Sequence, residues 1–145
     1  MRGASLTLCV GAERPFITCA KLNIALLNPA DEHHALAREY TQGFGGGLVT
    51  TPWVLAEVGN AMCLPPNRGL FVALVNRLRV DKRVLIVPAA DEAFERGFGL
   101  FGRRPDKEWG LTDCISFAVM EERGLREALT ADRHFEQAGF TILLK

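Results

Sequence analysis

Leu111-Thr112-Asp113-Cys114-Ile115-Ser116-Phe117 and Leu129-Thr130-Ala131-Asp132-Arg133-His134-Phe135 carry the clearest element boundaries in the chain. In the first, Thr112 is a capping hydroxyl ahead of an apolar run, which predicts a helix over 112–123 closed by Gly124. In the second, residues 128–130 read as a strand and residues 133–138 as a short helix ended by Gly139. Asp113 therefore stands where a helix opens, and Asp132 stands just beyond the end of a strand.

Working upstream, the same alternation recurs. Residues 84–87, Val-Leu-Ile-Val before Pro88, form a short continuous apolar run, as expected for a strand covered on both faces. Asp91 caps the next predicted helix, in which Phe94, Phe98 and Phe101 recur at helical spacing and read as core. Residues 48–50 read as a strand. Thr51-Pro52 is a helix start, with a capping hydroxyl and a proline in the first turn. That helix runs to about Cys63, where Pro65-Pro66 stops it, and another follows over 68–78. Residues 16–19 are β-favouring, 22–27 form a short apolar helix closed by Asn28-Pro29, and a helix capped by Asp31 extends to about Tyr40. A further short strand is expected over 5–10. Strands that alternate with helices in this way predict an α/β fold with a parallel sheet and helices on both faces.

Chemistry in an open parallel sheet sits off the carboxyl ends of the strands. Asp132 falls at that edge, and the N-terminus of the Asp113 helix faces it too, where the helix dipole favours an ionised carboxylate. Local capping of the backbone is the alternative role for each acid. Glu57 adds a third acid. It lies one to two turns into the helix that follows strand 48–50, amid Val54, Leu55, Ala56 and Val58. A charge there is paired, solvated at a cleft or bound to a cation, or else it is an ordinary surface glutamate. Three acids converging on one sheet edge are best explained by a bound divalent cation, and hard oxygen ligands suit Mg²⁺ or Mn²⁺. Such a centre activates water and stabilises a phosphodiester transition state.

Composition bounds the reading. A chain of 145 residues with 48% hydrophobic residues fits one domain with a single core. A formal net charge of zero argues against a nucleic-acid coat protein, but not against an enzyme that touches nucleic acid locally. Cys9, Cys19, Cys63 and Cys114 are scattered, which fits reduced thiols in a cytoplasmic protein. No apolar run approaches a membrane span, and the N-terminal run is too broken for a signal peptide.

From about Ile24 to Leu144 the chain resembles PIN-domain ribonucleases of the VapC toxin type. The residues that carry the resemblance are Thr51-Pro52-Trp53-Val54-Leu55-Ala56-Glu57, Trp109-Gly110-Leu111-Thr112-Asp113-Cys114-Ile115-Ser116-Phe117 and the run from Leu129 to Phe135. The resemblance implies a three-layer α/β/α sandwich over a single PIN-like domain, residues 1–145, with 1–23 atypical. It also implies Mg²⁺- or Mn²⁺-dependent cleavage of RNA by the toxin of a type II toxin–antitoxin pair, homodimers, and a cognate antitoxin that blocks the site. Glu57, Asp113 and Asp132 match three of the family's acidic residues. The fourth, an Asp at the end of the first strand, is expected near position 19, where this chain has Cys19-Ala20-Lys21. A thiol is mostly neutral at pH 7 and is a soft ligand poorly matched to Mg²⁺. Three accounts stay open: a degenerate PIN domain acting as a protein- or RNA-binding module, a weakened one-metal site, or residues 1–23 read out of frame.

Other residues carry two readings each. His33-His34 is either a surface pair or part of a zinc site that lacks further ligands. His134 either faces substrate or simply ends a helix. Ser116 either holds a water at the metal or caps the backbone. Arg103, Arg104 and Lys107 either contact RNA phosphates or form a solvated loop, and Asp106 and Glu108 share that loop. The glycines of 43–47 lack the Lys-Ser/Thr ending of a phosphate-binding loop and read as a turn.

Overall fold

The computed structural model describes residues 15–43 and 46–144. Five parallel strands form one sheet in the order β3-β2-β1-β4-β5. They are β1 (Phe16–Thr18), β2 (Leu48–Thr50), β3 (Val84–Ile86), β4 (Glu127–Leu129) and β5 (Thr141–Ile142). The helices are α1 (Ala20–Leu27), α2 (His34–Gly43), α3 (Pro52–Ala61), α4 (Pro65–Val80), α5 (Asp91–Arg103), α6 (Leu111–Arg123) and α7 (Arg133–Gln137). Helix α1 packs on α2 and α3, and α3 on α4; α6 packs on α5 and α7. With right-handed crossovers, the first group covers one face of the sheet and the second the other. The three-layer α/β/α arrangement expected from the sequence is the observed one.

Strand β1 is central, and all three of its residues are buried. It pairs with β2 on one side and β4 on the other, so the chain leaves β1 in one direction and returns on the opposite flank. Strands diverge in connectivity there, which makes the carboxyl end of β1 the place where a parallel sheet opens a crevice. Cys19, directly after β1, sits at that point.

Local signals explain some element ends, although α5 and α6 start at Asp91 and Leu111 without the caps expected from Asp91 and Thr112. The Thr51 hydroxyl accepts a hydrogen bond from the Val54 N–H at 3.2 Å, and Pro52 opens α3. Gly124 ends α6 with φ 68°, a left-handed conformation that residues with a side chain rarely adopt. Helix α6 is buried at every position from Cys114 to Met120, because it lies between the sheet and α5. Its Phe117 meets Trp109 and Phe135 edge-on, with ring centroids 5.2 and 4.9 Å apart. Cys19, Cys63 and Cys114 are free thiols, and Cys9 lies outside the described residues. Among the described residues no helix is long and apolar enough to cross a membrane.

Several sequence expectations change. Pro65 and Pro66 begin α4 rather than only ending α3, because proline fits a first helical turn that needs no N–H donors. Helix α2 starts at His34, after a turn in which the Asp31 carboxylate accepts from the His33 N–H at 2.8 Å. Strand β3 is an edge strand, not a strand covered on both faces, and Leu85 is 42% exposed. Phe98 and Phe101 are also exposed, at 55% and 47%, and so are not core. Helix α5 turns Gly97 toward α6 instead: a Cβ built there would lie 2.4 Å from Ile115 Cγ1. That close approach leaves the phenylalanines on the outer side. The expected strand over 5–10 lies outside the described residues.

Candidate metal centre

The three acids singled out in the sequence lie on three different elements, and the structure brings two of them together. Asp113 is in the first turn of α6, Asp132 caps α7 just past β4, and Glu57 lies on α3, which starts at the end of β2. Asp113 and Asp132 converge on one ring: His134 Nδ1 is 3.4 Å from Asp113 Oδ2 and 3.5 Å from Asp132 Oδ1. One ligand atom from each of Asp113, Asp132 and His134 lies within 4.8 Å of the others. Among the described residues this is the grouping of metal-binding side chains that the fold assembles. Glu57 is exposed on its helix and is not part of the grouping.

The two oxygens of Asp132 do different things. Oδ1 accepts from the His134 N–H at 2.9 Å and so caps α7. Oδ2 faces Lys21, whose Nζ is 3.4 Å away. Of the two roles expected as alternatives, capping is filled by Oδ1, and it leaves Oδ2 available. Asp113 is half-buried. Burial first, and then the negative charge of Asp132, push its carboxyl above the usual carboxylate range; the contact with His134 pulls it back down. Two carboxylates and an imidazole this close together are a donor set that fits a divalent cation. Aspartates and a histidine fit Mn²⁺ at least as well as Mg²⁺, because imidazole is a softer donor than carboxylate.

Cys19 occupies the place where the resemblance puts a fourth carboxylate. It is buried, and its thiol is engaged: Sγ donates to Thr130 Oγ1 at 3.0 Å. Burial pushes its pKa up, and the charge of Asp132 adds to that, so the thiol stays protonated at neutral pH. A neutral buried thiol adds nothing to a hard-cation site.

His134 is the participant that sequence reasoning left open. Its only sequence signal is its place two residues after Asp132, where the start of a helix returns a side chain toward the cap. Ser116 is buried, at 1% exposure. His34 spends Nδ1 on the Ala25 carbonyl at 2.7 Å, and His33 lies 3.8 Å from Asp31; no zinc site forms around them among the described residues. In the loop before α6, Arg104 pairs with Asp106 at 2.9 Å, and its guanidinium holds that carboxyl down at about 2. Arg104 and Lys107 also lie over the Trp109 ring, at 5.2 and 5.7 Å from its centroid. Arg103 and Arg104 line a groove of about 470 Å³ between α5, α6 and α7 that begins at Trp109, four residues before Asp113. Asp113, Asp132 and His134 do not line that groove, and Arg104 is already paired with Asp106.

Known proteins share this fold. A family model described as PIN domain matches residues 22–141. The chain is 31% identical over 119 residues to the 23S rRNA-specific endonuclease VapC20 of Mycobacterium tuberculosis, covering 80% of this chain and 88% of that protein. The fold superposes on the crystal structure of Mycobacterium tuberculosis VapC20, described as a Sarcin-Ricin loop cleaving toxin. The TM-score is 0.79 at 24% identity, over 87% of this chain and 96% of that one. VapBC2 from Rickettsia felis, solved bound to a DNA fragment from their promoter, is similar at a TM-score of 0.64 and 10% identity, over 89% and 97% of the two chains.

Proposed function

The chain belongs to the PIN-domain family, and from that premise we propose that it is a metal-dependent endoribonuclease, the toxin of a type II toxin–antitoxin pair. The observation that carries this reading is the convergence of Asp113 and Asp132 on His134 at the carboxyl edge of the sheet. Residues 1–145 act as one PIN-like domain with Glu57, Asp113 and Asp132 as the catalytic acids and metal ligands, and His134 beside them. Mg²⁺ or Mn²⁺ is the cofactor, RNA the substrate, and a cognate antitoxin the protein partner. The working form is a cytoplasmic homodimer.

Each side chain has a separable task. A bound divalent cation supplies Lewis-acid chemistry, offsetting phosphate charge and lowering the pKa of the attacking water. Asp113 and Asp132 would hold it, while Oδ1 of Asp132 stays engaged in capping and fixes that carboxylate in place. His134, held between the two carboxylates, orients Asp113 and moves a proton at Nδ1. Glu57, exposed on the helix that follows β2, serves as a further acid for the cation or the water. Arg103 and Lys107, from the end of α5 and the loop before α6, contact the RNA phosphates.

A second reading has its own observation behind it. The thiol of Cys19 is neutral and spent on Thr130 where the family has a carboxylate, which fits a catalytically inactive PIN domain that binds protein or RNA. A Mn²⁺-dependent RNA cleavage assay separates the two, with Asp113→Asn as control. Cleavage by the native chain and not by the variant is expected; equal residual cleavage by both leaves the binding-module reading.

A further inference from the structure

Lys21 stands in an electrostatically costly place. It is in the first turn of α1, next to the positive end of the helix dipole, and no acidic residue shares that turn. Its ammonium reaches across to Asp132 Oδ2 at 3.4 Å, although the lysine side chain is 75% exposed and the carboxylate only 14%. A lysine so solvated is free to point elsewhere, and an exposed ion pair of this kind contributes little to folding. The carboxylate oxygen it meets is the one that the cap of α7 leaves available. The ammonium thus meets one carboxylate of the acidic grouping, and the position that would add a further acid holds the buried thiol of Cys19.

We infer that Lys21 is a built-in cation that occupies the free oxygen of Asp132 and competes with the divalent metal for it. The inference rests on the metal-site reading given above. A divalent ion that ligates Asp132 Oδ2 lies within a few ångströms of Nζ, so the lysine must either swing away or repel it. Its exposure makes the swing possible, so metal binding is weakened rather than blocked. This chain therefore needs a higher concentration of divalent metal than its acids alone would require. Lys21, rather than Cys19 alone, sets that requirement.

The test uses Mn²⁺ alone with the full chain and no RNA, following free Mn²⁺ by electron paramagnetic resonance. Lys21→Met removes the charge and keeps the length; Lys21→Arg keeps the charge. Lys21→Met is expected to bind Mn²⁺ roughly tenfold more tightly than the native chain, and Lys21→Arg to bind like the native chain. Unchanged or weaker binding by Lys21→Met, while Asp132→Asn still abolishes binding, overturns the role of Lys21 and leaves the metal site standing. Mn²⁺ binding that survives Asp132→Asn, or no binding by any of the proteins, overturns both the inference and the metal site on which it rests.

Discussion

The thiol of Cys19 and the hydroxyl of Thr130 are hydrogen-bonded at 3.0 Å, joining the end of β1 to the end of β4. The same hydroxyl accepts from the Asp132 N–H, also at 3.0 Å. Thr130 thus fixes both the residue that replaces an acid and the acid that remains.

This geometry predicts the outcome of Cys19→Asp. A carboxylate at position 19 accepts from the Thr130 hydroxyl, which needs only to rotate its proton. It also adds a hard oxygen at the crevice over β1. RNA cleavage at a fixed Mn²⁺ concentration is expected to rise at least about tenfold. Without metal the variant is less stable, because it crowds a further charge against Asp132. Unchanged cleavage together with unchanged Mn²⁺ affinity refutes the assignment of position 19 to the site.

Asp113→Asn separates function from stability. The folded protein raises the Asp113 carboxyl above its ordinary range through burial and then through Asp132. A raised carboxyl stabilises the fold in its protonated form. That contribution is complete below the ordinary carboxylate range and is lost as pH rises through the raised value. Asparagine mimics the protonated form at every pH. In metal chelator at about pH 7, the variant should melt higher than the native chain, by roughly 2–4 °C. The gain should vanish when the native carboxyl is protonated by acid. Cleavage should fall about 100-fold or more. Calorimetry across pH checks the first part, and a lower melting point at neutral pH contradicts it.

Glu57→Gln should leave the fold alone. Glu57 is exposed on α3, and surface changes of this kind usually stay within about 0.5 kcal/mol. If Glu57 serves the metal or the water, cleavage drops at least about tenfold while the urea midpoint is unchanged. Full activity in the variant removes Glu57 from the site.

Gly97→Ala tests the close approach of α5 to α6. A Cβ there would lie 2.4 Å from Ile115 Cγ1 and 2.7 Å from Ile115 Cα, too near for either helix to stay in place. The expected cost is about 1–3 kcal/mol in denaturant unfolding. Ile115 is two residues from Asp113, so metal affinity should weaken as well. A cost near zero would mean that the two helices separate more readily than their packing implies.

Much of the fold was legible because its signals are short-range. Thr51-Pro52 specified the start of α3, Gly124 the end of α6, and the alternation of apolar runs with capped helices specified a parallel sheet. The mistaken expectations concern what covers a residue. Leu85 and Phe98 are as apolar as any core residue, yet β3 is an edge strand, and α5 meets α6 through Gly97. No local pattern distinguishes an apolar residue that finds a partner from one that does not.

The sequence by itself determined which side chains could do chemistry: Asp113 at a helix start, Asp132 past a strand, Glu57 on an apolar helix, and a thiol where an acid is expected. Only the tertiary structure decided which of them meet. It put β4 beside β1, so that Asp132, His134, Lys21 and Cys19 share one crevice although more than 100 positions separate Cys19 from Thr130. Caps and periodicity are set within a turn or two of chain, and sequence records them directly. The ion pair of Lys21 with Asp132 and the shared contact on His134 depend on strand order, which only long-range packing fixes.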